Sequence, residues 1–336
     1  MPFISDITYV LPETRLIEGA PEIDLDHQTL LTSIGLHSFA ITSGTAPELL
    51  GECIQKFCQS TTFNVADIEA VMIATHSFWD VPEADMDANV HKTASMRNKH
   101  YKVLNQNGLG SAVPIGLFLG GSGNFGLALT TASNMVETRQ FNSILVACID
   151  RCPKDESRLV PPGVSVLSDS AACCLITVAP QPEKIAYAIE HLSHVGKPKL
   201  VDINAQENFI GYLAEVADSI ATVFKKTFEA TAIDSSQVKM LFTNNYGLNT
   251  MRVFAHKSGV PINRIYTDNI ARFGHAFSAD NLINLKDYED SGDQKVSGDR
   301  LLLLSTGPVT WTAALLRVTG ATAKDELERK AAHGKC

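Results

Sequence analysis

The chain has 336 residues, 45% of them hydrophobic, and a formal net charge of −9 from 28 basic and 37 acidic side chains. That size supports a large core, as one big domain or two fused halves, and the acidic balance argues against nonspecific nucleic-acid binding. No apolar run reaches membrane-span length, Met1 to Glu13 lack a basic-then-apolar signal, and the seven cysteines form no CxxC pair; a cytoplasmic protein with reduced thiols and no membrane role is expected.

Residues 24–51 mix polar caps with helical spacing. Thr45-Ala46-Pro47-Glu48 opens a helix that runs to about Gln59, with Pro in its first turn and Glu three residues after the threonine. Residues 68–75 read as a buried strand. Residues 77–110 have little periodicity and read as a long loop with short helices, the kind of segment that is usually functional. An apolar stretch from Pro114 then leads into Gly120-Gly121-Ser122-Gly123-Asn124-Phe125-Gly126, and a helical pattern follows to Thr138. Residues 143–150 and 171–178 read as strands, with a turn at Ser168-Asp169-Ser170. Cys173 and Cys174 fall in the second strand and belong to the core.

The second half repeats the order. Residues 208–230 form a long helix, and 238–243 a strand ending in Asn244-Asn245. His191 and His194 flank a polar turn and read as surface residues. A helix over 250–258 stops at Gly259-Val260-Pro261. Phe273-Gly274-His275-Ala276-Phe277-Ser278-Ala279-Asp280 is a loop entering a helix to about Leu285. Strands 301–305 and 311–318 flank Thr306-Gly307-Pro308, and the tail 323–336 is charged and frays. Alternating strands and helices imply a layered α/β fold. The repeated order implies a duplicated unit, with halves at 1–178 and 179–322 and with Ser122 and His275 at equivalent entries to two central helices.

The glycine-rich turn carries the chemistry. Glycines on both sides of Ser122 let the backbone bend and approach a substrate closely. A helix starting just behind Ser122 points free N–H groups and its positive dipole end at it. An acyl-transfer nucleophile there would have its oxyanion stabilised. A plain strand–helix loop is the other reading of this stretch alone.

Over nearly its full length the chain resembles the ketoacyl-ACP synthase III branch of the thiolase fold. The resemblance rests on Ile34-Gly35 with Thr45-Ala46, on Ile73-Ala74-Thr75, on Ser168-Asp169-Ser170-Ala171 in place of a GDGA turn, and on Thr306-Gly307-Pro308-Val309-Thr310-Trp311 through Arg317 in place of GGGFTWGxALvR. It implies a duplicated five-layer α-β-α-β-α architecture and a homodimer. In that dimer the strand Ser143–Asp150 or its neighbourhood would extend the sheet across the two-fold axis, and the loop 77–110 would reach the partner's tunnel.

The departures from the family pattern direct the functional reading. Ser122 occupies the place of the nucleophilic Cys in A-C-x-G-F. Thr243-Asn244-Asn245-Tyr246-Gly247 stands where the family has P-H-Q-A-N, and Gly274-His275-Ala276 where it has G-N-T. The His–Asn pair that stabilises an enolate during decarboxylative condensation is therefore replaced. Ser122 with His275 makes a nucleophile–base pair instead, and Asp280 could orient the imidazole or be only a solvated or N-terminal helix charge. Residues five apart do not share a face of a helix, so His275 must lie in the preceding loop. Gly307 matches the second oxyanion donor beside Ser122. Asn244, Asn245 and His76 are candidate substrate-binding residues, with a turn or a satisfied loop histidine as their structural readings.

The resemblance, with these departures, implies an acyltransferase with an acyl-Ser122 intermediate in natural-product (polyketide) biosynthesis. Its substrates would be an acyl carrier protein or CoA thioester and a small-molecule hydroxyl, amine or thiol acceptor, with no bound cofactor or metal. A priming ketosynthase and a noncatalytic subunit are the alternatives. Lys225, Lys226, Arg252, His256 and Lys257 could form a basic patch for an acidic carrier or simply a solvated helix face.

Overall fold

The computed structural model describes residues 1–77, 80, 92–154, 156–160, 164–181, 184–203, 208–291 and 295–320. The whole of the tail 323–336 and the middle of the expected loop 77–110 fall outside these residues. The elements of the first half are β1 (Phe3–Val10), β2 (Glu13–Leu16), α1 (Leu25–Ser33), β3 (Ser38–Ile41), α2 (Ala46–Ser60), β4 (Ala70–Ala74), α3 (Lys92–Gln106), β5 (Val113–Leu117), α4 (Asn124–Glu137), β6 (Ser143–Asp150), β7 (Leu159–Val160), β8 (Ser165–Val166) and β9 (Ser170–Thr177). Those of the second are β10 (Ala186–Gly196), α5 (Phe209–Thr231), β11 (Val238–Thr243), α6 (Leu248–Ser258), α7 (Ile270–Phe273), α8 (Asp280–Asp290), β12 (Arg300–Thr306) and β13 (Thr310–Thr319).

The strand order β1-β9-β6-β4 in one half is repeated as β10-β13-β12-β11 in the other, and β5 adds a further strand beyond β4. The directions repeat as well. β4 is parallel to β6 as β11 is to β12, and β6–β9 is antiparallel like β12–β13. The halves join where β1 pairs β10 at Phe3–Ala188 and Ile4–Tyr187.

Side-chain alternation along the strands builds the layers. Val71, Leu145 and Leu175 face outward onto Leu50, Ile54 and Phe57 of α2. Met72, Val146 and Cys174 face inward onto Phe125 and Leu129 of α4, and the same core takes in Leu282 and Ile283 of α8 and Leu303 and Leu316 of the second sheet. Leu302, Leu304 and Leu315 face outward again, onto Ile220 and Phe224 of α5 and Phe254 of α6. The result is the duplicated five-layer α-β-α-β-α fold. Cys173 and Cys174 are fully buried, and burial pushes the Cys174 thiol up, so both act as core side chains.

Several expectations are corrected. The periodicity-poor stretch contains α3, a 15-residue helix. Its sequence is mostly polar, and Val103 and Leu104 carry its packing into the α2 core, so its apolar stripe is faint. His191 and His194 lie inside the long strand β10, not beside a turn; a register shift between Ile189 and His191 breaks the alternation that would have marked it. β6 pairs with β4 on one side and β9 on the other, so it cannot extend the sheet to a second subunit. The edge on that side is β5, which pairs only with β4 among the described strands.

Candidate active site

Ser122 sits in a single 3-10 turn, Gly121–Gly123, that runs directly into α4. Gly121 has φ +54°, and a Cβ there would come within 2.9 Å of Pro308 Cδ. Gly123 faces Gly307 so closely that a Cβ would lie 3.0 Å from the Gly307 nitrogen. The turn therefore interlocks with the β12–β13 hairpin, which only glycine backbone allows.

His275 is placed by a different set of contacts. Its N–H donates to Val166 C=O at 2.9 Å, and its own C=O accepts from Ser168 N–H at 2.8 Å. Gly274 approaches Val166 so closely that a Cβ would lie 2.7 Å from the Val166 oxygen. Ser168 Oγ donates to Phe273 C=O, and Ser170 Oγ to Ala276 C=O at 3.2 Å. The Ser168-Asp169-Ser170 turn thus clamps the loop ahead of α8, and Asp169 is itself fixed by Arg158 and by the N–H groups of Thr42 and Cys152.

These supports bring three side chains into line. Ser122 Oγ lies 2.8 Å from His275 Nε2, and His275 Nδ1 lies 2.5 Å from Asp280 Oδ2. Asp280 is completely buried, which rules out a solvated helix charge. It also accepts from the N–H groups of Ala276 and Asn245 and from Asn245 Nδ2. An acceptor carboxylate at Nδ1 assigns the proton to that nitrogen and leaves Nε2 to accept from the Ser122 hydroxyl. The five-residue spacing works because residues 277–279 form a tight turn ahead of α8. Phe277 takes φ +51° there, uncommon for a bulky residue, and its C=O is held by Asn244 Nδ2 at 2.9 Å.

The chain faces a cavity of about 250 Å³ lined by Val160, Val164, Tyr212, Leu213, Val216, Ile220, Phe254 and Trp311, with Ser122, His275, Tyr246, Thr250 and Thr306 as its main polar groups. No acidic residue, Lys or Arg lines it among the described residues. Such a lining suits an acyl chain or the uncharged arm that carries one.

The other expected site residues are placed differently. Asn244 is fully buried and occupied: Nδ2 donates to Phe277, and Oδ1 accepts from Thr306 N–H at 2.8 Å and Thr306 Oγ1 at 3.0 Å. Asn245 holds Asp280 and accepts from Asn284 Nδ2 at 2.9 Å. Both asparagines are spent inside the protein rather than offered to a substrate. His76 does not line the cavity; its ring stacks on Phe277, which separates it from His275, and its N–H donates to Asp150. Gly307 does line the cavity, but its N–H donates to Thr310 C=O at 2.7 Å and is not a free oxyanion donor.

Sequence reasoning assigned no role to Tyr246 or Thr306. Tyr246 lines the cavity with its ring 5.0 Å from that of His275. The signal was an aromatic residue directly after the Asn pair at a strand end. Asp150 was also missed. It is fully buried, accepts from Ser278 Oγ at 2.9 Å, and burial raises its pKa to about 6.

Among the described residues no helix is long and apolar enough to cross a membrane, and no group of His, Cys, Asp and Glu could hold a metal ion. Residues 228–318 match the family model of the C-terminal part of 3-oxoacyl-[acyl-carrier-protein] synthase III. No curated protein matches by sequence. Among solved structures, ChlB3, described as an acyltransferase, is similar at 17% identity and TM-score 0.77, over 95% of this chain and 98% of that one. The 3-oxoacyl-ACP synthase III of Aquifex aeolicus is similar at 15% identity and TM-score 0.73, over 94% and 100%. Cerulenin-bound OleA of Xanthomonas campestri follows at 12% identity and TM-score 0.71, over 94% and 99%. The chain therefore has the duplicated thiolase fold of these structures, and its C-terminal part is similar to that of the 3-oxoacyl-[acyl-carrier-protein] synthase III family.

Proposed function

We propose that the protein is an acyltransferase that carries its acyl group as an ester on Ser122. One observation carries the reading: the unbroken hydrogen-bonded chain Ser122–His275–Asp280 facing an apolar cavity. In the first half-reaction Ser122 Oγ attacks the thioester carbonyl and gives its proton to His275 Nε2. The C–S bond breaks, and the leaving thiolate takes that proton. In the second, the acceptor gives a proton to Nε2 as it attacks the ester, and Ser122 Oγ leaves with it. Asp280 stabilises the imidazolium between the steps. The Ser122 N–H, at the start of α4, is the oxyanion donor.

The donor is an acyl carrier protein or CoA thioester, and the acceptor a small-molecule hydroxyl, amine or thiol, in natural-product biosynthesis. ChlB3, described as an acyltransferase, supports that direction. Thr250 and Phe254 of the cavity wall share α6 with Arg252, His256 and Lys257, which suits the approach of an acidic carrier. Carbon–carbon condensation is disfavoured because Asn244 and Asn245 do not line the cavity and their amide groups donate to Phe277 and Asp280 inside the protein, which places no side-chain amide there for an enolate. Incubation with an acyl thioester, a malonyl-carrier protein and an amine or alcohol tests this. The expected products are the amide or ester with no release of carbon dioxide, and a β-ketoacyl product would instead establish the condensing reading.

A further inference from the structure

Tyr246, Thr306 and Asn244 form a second hydrogen-bonded chain beside the Ser122–His275–Asp280 line. The Tyr246 hydroxyl is 2.9 Å from Thr306 Oγ1, and Thr306 Oγ1 is 3.0 Å from Asn244 Oδ1. The direction of every proton in it can be worked out. Asn244 Nδ2 faces the Phe277 carbonyl and Oδ1 faces the Thr306 N–H, so the amide can stand only one way round. Oδ1 accepts only, so the Thr306 hydroxyl must donate to it. The Thr306 oxygen then has only lone pairs for Tyr246, so Tyr246 must donate to Thr306. Burial raises the Tyr246 pKa, so the phenol keeps the proton this requires. The phenol oxygen is left with lone pairs alone, and both Tyr246 and its partner Thr306 line the cavity that Ser122 and His275 share.

We propose that Tyr246 determines acceptor specificity: its oxygen, turned into a pure acceptor by Thr306 and Asn244, takes a hydrogen bond from a second donor on the attacking molecule. The inference rests on the acyl-Ser122 reading and narrows it. The first proton of the nucleophile goes to His275 Nε2. A simple alcohol then has nothing to give Tyr246. A molecule with a further N–H or O–H at or beside the nucleophilic atom, as in a primary amine or a vicinal diol, does. A malonyl carboxylate would meet lone pairs with lone pairs, in a cavity whose described lining has no Lys or Arg. Covalently the step is the ester cleavage already described: a bond forms from the acceptor to the acyl carbon, the bond to Ser122 Oγ breaks, and the proton returns to Oγ through His275.

The test is partition of a preformed acetyl-enzyme, made from acetyl-N-acetylcysteamine, between paired probes. Ethane-1,2-diol is set against 2-methoxyethanol, and methylamine against dimethylamine, each pair differing in the second donor. The first pair reads a donor on the neighbouring atom, the second a donor on the nucleophile itself. A single net hydrogen bond corresponds to a preference of roughly 3- to 10-fold for the two-donor probe in at least one pair. Tyr246→Phe should bring that ratio to that of the uncatalysed reaction. Thr306→Val should release the phenol proton into the cavity and reduce or reverse the preference with the ring still in place. Because the readout is a ratio between products, it does not depend on how much enzyme is loaded. Equal ratios in wild type and both variants, or no preference in wild type, would overturn the proposal. Failure of wild-type enzyme to form any acetyl-Ser122 would remove the parent reading and this one with it.

Discussion

At the scale of single residues, His275 and Asp280 should fail in different ways when replaced. Among the described residues the His275 side chain hydrogen-bonds only Ser122 and Asp280, whereas Asp280 accepts from His275, from two backbone N–H groups and from Asn245 Nδ2. His275→Ala should lower the acylation rate by about 10²–10⁴, the usual worth of a positioned general base, with little change in melting temperature. Asp280→Ala should lower the rate as well, and it should also destabilise the fold. It strands buried donors at about 1–3 kcal/mol each. Stopped acylation assays and thermal melts on both variants separate the two effects; an Asp280→Ala protein that melts like wild type would show that the carboxylate does not hold the loop. Ser122 and His275 were legible in the sequence because glycines mark both turns and the chemistry needs a nucleophile and a base. The fate of Asn244 and Asn245 was not legible. Their partners, Phe277, Asp280, Asn284 and Thr306, are brought in from 33 to 62 positions further along the chain, for which no local pattern exists.

Among the elements, β6 and α8 meet where Asp150, at the end of the strand, accepts from Ser278 ahead of the helix. Burial is the main cause of the raised Asp150 pKa of about 6, against an ordinary value of 3.8. The folded state then holds a proton that the unfolded chain releases. The contribution to stability is complete below the unfolded value and is lost as pH rises through about 6. Asp150→Asn should therefore gain stability relative to wild type as pH rises from about 4 to about 6, the window these two values bound. Urea melts across that range check the sign, and a pH-independent difference would contradict it. In α4, a Cβ on Gly126 would lie 2.5 Å from Thr312 Cβ, so Gly126→Ala should cost about 1–3 kcal/mol in the same melts by overpacking the helix against β13. An alanine variant as stable as wild type would mean that this contact relaxes freely. Strands β6 and β11 were readable to the residue because they are short apolar runs. β1 was not, because Ser5, Asp6 and Thr8 interrupt it and its pairing slips between Ser5 and Thr8 around an Asp6 with φ +50°.

For the whole molecule, the duplicated fold leaves β5 with one partner among the described strands, and Val113 within it and Phe118 and Leu119 just after it are 48%, 52% and 79% exposed. Unpaired strand edges with apolar flanks associate readily. A homodimer joined at β5 is expected, so light scattering at micromolar concentration should give twice the chain mass, and Phe118→Asp with Leu119→Asp should shift it toward monomer. A wild-type monomer would contradict this. The repeated order of elements was legible before the structure because each half spells the same alternation. The sheet edge was not, since which strand is outermost depends on pairings between distant segments. The central claim, that Ser122 carries the acyl group, is tested most directly by the intact mass of the protein after incubation with acetyl-N-acetylcysteamine. The account predicts one added acetyl group that peptide mapping places on Ser122 and that Ser122→Ala abolishes; an adduct of the same mass on Ser122→Ala, or none on wild type, would contradict it.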